Sequence, residues 1–186
     1  KQLIHMENVS IKYDANIICD NINLDVLQGD RVAIEGKNGS GKSSILKLIC
    51  GEKIEHGGTV QIGSGLIVSY LPQDVSFLSG SLKEYSIEKN LDETLFKTIL
   101  RKLDFSRIQF EKDMNNYSLG QKKKVLIAQS LCEKSNLIIW DEPLNYIDIF
   151  SRMQIENLLS EFKPTMIFVE HDKIFYDSIA NKTIHI

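Results

Sequence analysis

The sequence predicts an α/β fold: a central, mostly parallel sheet with an antiparallel β section ahead of it and a small helical insertion within it. Three observations carry this. Short runs rich in apolar residues at 31–35, 137–140 and 165–169 have the length and composition of buried strands. Alternating apolar and polar residues with turn signals occupy 3–27. Between 81 and 116 helix formers dominate.

The first of those strands, Arg31 to Glu35, leads into Gly36-Lys37-Asn38-Gly39-Ser40-Gly41-Lys42-Ser43. This stretch fits the phosphate-loop pattern G-x-x-x-x-G-K-[ST] at every fixed position. Ser43 to Cys50 reads as a helix stopped by Gly51. A glycine-rich turn between strand and helix aims unpaired N–H groups outward, an anion cradle at the positive end of the helix. Lys42 is placed to reach the β- and γ-phosphates and the Ser43 hydroxyl to ligate Mg²⁺. A chance match arises in roughly 1% of chains this long, and the strand–loop–helix context lowers that further. Nucleotide binding follows.

Bulk properties narrow the class. A chain of 186 residues, 42% hydrophobic and 25% charged, is sized for one globular domain with a real core. No apolar run approaches a membrane span, and no signal-peptide pattern is present. The first residue is Lys, so a segment of a longer protein is expected. A net charge of −3 argues against a nucleic-acid binder driven by bulk electrostatics, though not against local contacts. Cys19, Cys50 and Cys132 are scattered and odd in number, which suits a reducing cytoplasm and gives neither a zinc cluster nor a disulfide framework.

Taken in order, residues 3–27 read as antiparallel strands beside the nucleotide core. Tyr13 ends one of them and can stack on adenine, or be a half-buried strand tyrosine. Gly57-Gly58 reads as a turn, followed by strands Thr59–Ile62 and Leu66–Leu71. Pro72 ends the second strand and Gln73 begins a loop, where its amide can ligate Mg²⁺ or hold a water. Leu91 to Leu103 reads as a helix with Leu95, Ile99 and Leu103, and Phe96 and Leu100 beside them, on one apolar face. His5, His56 and His185 have no partners in sequence and are expected to be structural or exposed.

Tyr117-Ser118-Leu119-Gly120-Gln121 opens another helix, and a Ser-x-Gly turn at a helix start is a weak anion-site signal. Lys122, Lys123 and Lys124 read as its exposed first turn, made easier by a nearby polyanion. Leu137 to Trp140 forms a buried strand with Asp141 and Glu142 at its C-terminal end, where open α/β sheets gather ligands. Asp141 fits Mg²⁺ coordination, and Glu142 fits a general base on the attacking water. Asp148 caps a helix running from Ile149 to Phe162. Thr165 to Val169 is a further buried strand, and His171 after it can donate to a γ-phosphate.

Together Tyr13, GKNGSGKSS, Gln73, YSLGQ, LIIWDEP, Asp148 and His171 resemble, in order and spacing, the nucleotide-binding domain of ATP-binding-cassette (ABC) proteins. The resemblance covers essentially the whole chain. It implies one ABC domain over 1–186, a P-loop NTPase with a helical subdomain at about 81–135. Its ligands would be ATP and Mg²⁺. Tyr13 would stack adenine, and Gly36, Asn38, Gly39, Ser40, Gly41, Lys42, Ser43 and Ser44 would hold the phosphates. Ser43, Gln73 and Asp141 would serve Mg²⁺, Glu142 would be the base and His171 the switch histidine. Ser118, Gly120 and Gln121 belong to the signature motif, which in this family closes over ATP bound to a partner domain. That partner would be a second cassette of the same parent chain, or a second copy.

Finer motifs look like the ABC-F branch. EPLNYID resembles its EPTNHLD, FVEHDKIF resembles its switch region, and RKLDFSRIQFEKDM and YSLGQKKKVLIAQSLC resemble the second cassette of its antibiotic-resistance members. This implies a cytoplasmic tandem-cassette ATPase that acts on the ribosome and protects it against lincosamides, streptogramin A and pleuromutilins. Leu119 departs from the usual signature glycine, and Tyr146-Ile147 from the usual His-Leu. The alternative is the ATPase subunit of a membrane transporter whose membrane domain lies on another chain. A chromosome-maintenance ATPase is excluded, because no coiled coil separates the phosphate loop from Asp141.

Overall fold

The computed structural model describes residues 1–186. The chain begins with β1 (Gln2–Tyr13), β2 (Asn16–Leu27), β3 (Arg31–Glu35), α1 (Lys42–Ile49), β4 (His56–Ile62) and β5 (Val68–Leu71). A helical stretch follows: α2 (Leu82–Glu88), α3 (Glu93–Lys102), α4 (Arg107–Glu111), a short 3₁₀ turn at Met114–Asn116, and α5 (Leu119–Cys132). The remainder is β6 (Leu137–Asp141), α6 (Ile149–Phe162), β7 (Met166–Val169), α7 (Lys173–Ile179) and β8 (Lys182–His185). Two compact units result. Lys1–Tyr70, Ser135–Asp141 and Pro164–Ile186 form the first; Leu71–Lys134 and Glu142–Lys163 form the second.

The α/β architecture expected from the sequence is present. One sheet has three strands in the order β2-β1-β4, with antiparallel pairs; the other has five in the order β5-β6-β7-β3-β8. In the larger sheet β6–β7, β7–β3 and β3–β8 are parallel. Its central strands are buried on both faces, which explains their unbroken apolar runs. The small sheet is one-sided: Ile22, Leu24 and Val26 of β2 face the core while their neighbours face out.

Two strand expectations need correction. Gly57 and Gly58 are not a turn before a strand but lie inside β4. On β1 the core face runs Ile4, Met6, then Val9 and Ile11, with a register shift between. Asn8, at φ 51°, is the irregular residue, and its carbonyl comes so close that a Cβ on Gly58 would lie 2.3 Å from it. Glycine there accommodates a β-bulge. The strand expected from Leu66 begins at Val68. Ile67 instead exchanges hydrogen bonds with Asn136, its N–H donating to Asn136 Oδ1 at 2.8 Å.

In the second unit each of the longer helices starts at a side-chain cap. Ser81, Asp92, Ser118 and Asp148 accept from the N–H groups of Glu84, Leu95, Gln121 and Ser151. The Ser151 N–H also holds the Asp148 carboxyl below its ordinary pKa. Of the expected apolar face, Phe96, Ile99 and Leu100 on α3 and Leu103 just after it are buried, whereas Leu95 is only half-buried. The lysines of α5 overturn their expectation. Lys122 and Lys123 are buried rather than exposed, their ammonium groups donating to loop carbonyls, and Lys124 is half-buried.

Candidate nucleotide site

The first unit supplies the phosphate-loop part. In the larger sheet Asp141 pairs with Val169, and Val169 pairs with Ile34 on its other side. The C-terminal ends of β6, β7 and β3 therefore lie level. They carry Asp141, Glu170-His171 and the loop beginning at Gly36. Gly39 and Gly41 adopt left-handed φ of 79° and 96°, conformations that favour glycine, and Gly41 is the N-cap of α1. A Cβ on Gly36 would lie 2.5 Å from Ser40 Oγ and 2.9 Å from the Ile186 carbonyl oxygen, so a side chain there would force both to shift.

The loop wraps the Lys42 ammonium. Lys42 is 8% exposed, and its Nζ donates to the carbonyls of Gly36 at 2.7 Å and Lys37 at 2.8 Å. Ser40 Oγ is buried with no hydrogen-bond partner, a donor that a phosphate oxygen would satisfy. Ser43 Oγ donates to Asp141 Oδ2 at 3.0 Å, and Asp141 is 2% exposed. Ser44 Oγ hydrogen-bonds with the Tyr13 hydroxyl at 3.0 Å, leaving the ring 44% exposed for stacking. Asn38 lies at the exposed loop tip.

One hydroxyl and one carboxylate suit a cation that keeps water and phosphate ligands, as Mg²⁺ does. No cluster of three or more His, Cys, Asp or Glu offers a full protein cage. His171 is exposed, and its N–H donates to Glu170 Oε1 at 2.9 Å. A cleft of about 510 Å³ is lined by Gly36, Lys37, Glu170, His171 and Tyr176, so it joins the histidine to the loop.

The second unit holds the other candidates. Glu142 follows Asp141 directly but has left the strand, at φ 53°. Such a backbone costs a non-glycine residue about 1–2 kcal/mol and needs local support. Asn145 provides some, its Nδ2 donating to Glu142 Oε2 at 2.9 Å. Gln73 is exposed on the loop after β5. Its carbonyl and that of Glu142 both accept from Lys123 Nζ at 3.3 Å.

Ser118 and Gln121 form a reciprocal capping box: Gln121 N–H donates to Ser118 Oγ at 3.1 Å, and Ser118 N–H to Gln121 Oε1 at 3.0 Å. Gly120 lacks a side chain because the Tyr146 carbonyl is there, 2.4 Å from where a Cβ would stand. Tyr146 is itself at φ 67°. The signature turn thus rests on the turn after Glu142. Gly120→Ala is expected to displace both and to destabilise the unit by about 1–3 kcal/mol; an unchanged urea midpoint would contradict so close a contact.

Sequence reasoning missed Lys123 and the Tyr146 carbonyl. A run of lysines carries no sign of which ammonium folds inward, and a main-chain carbonyl leaves no sequence signal. Asn145 was legible as part of EPLNYID, but its bond to Glu142 was not.

The loop, Lys42, and the Ser43–Asp141 pair define a P-loop nucleotide-binding domain. A family model described as ABC transporter matches residues 19–145, and the chain belongs to that family as an ATP-binding domain. ATP hydrolysis with Mg²⁺ is the family's general chemistry. The chain is 31% identical to the ATP-binding protein Uup of Caulobacter vibrioides, over 99% of its own length and 32% of that protein. It is 29% identical to the ribosome protection protein VmlR of Bacillus subtilis, over 99% of this chain and 34% of that protein. It is also 29% identical to ABC transporter F family member 2 of Arabidopsis thaliana, over 100% of this chain and 28% of that protein. The chain thus spans about a third of the length of these relatives. No helix is long and apolar enough to cross a membrane.

Proposed function

We propose that this chain is the second ATP-hydrolysing cassette of a cytoplasmic ABC-F protein that acts on the ribosome and protects it against lincosamide, streptogramin A and pleuromutilin antibiotics. The observation that carries the branch assignment is Asn145. It stands at the asparagine of the EPLNYID motif, and its amide donates to Glu142. Similarity to relatives named as a ribosome protection protein and an F family member supports the same reading.

The chemistry is a water-for-ADP displacement at the γ-phosphorus. Lys42 and the loop N–H groups bind the phosphates, and Tyr13 stacks the base. Ser43, Asp141 and Gln73 serve Mg²⁺, which neutralises phosphate charge when bound. Glu142 accepts the proton of the attacking water, ADP leaves, and His171 registers loss of the γ-phosphate. Ser118, Gly120 and Gln121 complete the site of a partner cassette, so turnover by this chain alone is slow. Turnover by a strictly monomeric sample as fast as that of the full-length protein would contradict this.

The drug part is tested by expressing the full-length protein in a susceptible Gram-positive host. The expected result is a several-fold rise in inhibitory concentration for at least one of the three drug classes, lost with Lys42→Ala. No rise with an ATPase-active protein would remove resistance from the reading. A contiguous membrane-permease gene in place of a second cassette and charged linker would favour transport.

A further inference from the structure

Lys123 lies three residues after Gly120 and is 0% exposed, the largest charged side chain so enclosed. Burying an ammonium is costly unless acceptors replace its water. Its acceptors include main-chain carbonyls from two separate loops. One belongs to Gln73, 50 residues upstream, and the other to Glu142, 19 residues downstream, each at 3.3 Å. Lys122 makes an outwardly similar bond to the Ser76 carbonyl at 3.0 Å, but Ser76 has no part in the chemistry.

The two residues joined through Lys123 have side chains with assigned tasks, and neither is held by regular structure. Gln73 is on an exposed loop, and Glu142 is in a left-handed turn outside its strand. We propose that Lys123 is a positioning residue: its ammonium clamps the Gln73 and Glu142 carbonyls together and fixes where their side chains stand. It lies on α5, whose first turn is the signature motif. A shift of that helix on pairing with a partner would therefore reach Gln73 and Glu142 through the same ammonium.

This rests on the ATPase reading, so wild-type turnover and loss of ATP binding in Lys42→Ala are established first in the full-length protein; their failure would be a failure of that reading alone. Lys123→Met is then expected to lower kcat by about 10²-fold, the scale of a small misplacement of catalytic groups, while the Kd for ATP stays within a few-fold. Lys123→Arg, which keeps charge and donors on a bulkier head, should fall between Met and wild type. Lys122→Met should lose stability without this drop in kcat. Wild-type kcat in Lys123→Met, or an equal drop in Lys122→Met, would overturn the proposal. If Lys123→Met does not fold, Lys123→Arg decides: reduced kcat with retained ATP affinity supports the clamp, and wild-type kcat or failure to fold overturns it.

Discussion

Glu142→Gln is expected to lower ATP turnover of the full-length protein by about 10²–10⁴-fold, the range for loss of a general base, without loss of ATP binding. The substitution keeps side-chain length and an oxygen for the Asn145 amide, which now donates to Glu142 Oε2 at 2.9 Å. Backbone strain at φ 53° is no different for an amide than for a carboxylate. Lys42, Ser43 and Ser44 lie outside the change, so the binding apparatus stays intact. What disappears is the ability to take a proton from water. ATP then remains uncleaved, and the protein should accumulate in its ATP-bound, partner-closed form, seen as an ATP-dependent compaction. Unchanged turnover would remove Glu142 as the base.

Lys42→Ala should act at the other end of the reaction. The ammonium has two tasks. In the proposed site it supplies charge-assisted bonds to phosphate, worth about 1.5–3 kcal/mol each. It also organises the loop, through the carbonyls of Gly36 and Lys37 at 2.7 and 2.8 Å. Losing both should weaken ATP binding by roughly 10²-fold or more, with turnover falling as a consequence. Equilibrium binding of a fluorescent ATP analogue checks the affinity, and a melting curve without nucleotide separates it from unfolding. Wild-type affinity would contradict the placement of the phosphates in this loop.

How much of this was legible beforehand differs by residue. The phosphate loop was readable because its glycines answer to local backbone geometry, at Gly39 and Gly41 by left-handed φ and at Gly36 by close approach. Asp148 was readable as a cap because capping is a contact over three residues. Gly58 was misread as a turn residue, since its cause is the Asn8 carbonyl on a neighbouring strand. Lys123 was misread for the same kind of reason. Its acceptors lie on loops distant in sequence, and helical periodicity near a signature turn says nothing of them. Motifs defined by spacing survive in a sequence; the carbonyls that receive a buried cation appear only on folding.

The ribosome reading is tested most directly by co-sedimentation. Full-length protein carrying Glu142→Gln is mixed with 70S ribosomes and pelleted with and without ATP. An ABC-F cassette held in its ATP-bound form should pellet with ribosomes only when ATP is present. No ATP-dependent pelleting, from a protein that demonstrably binds ATP, would contradict ribosome action and leave an ABC ATPase with another partner.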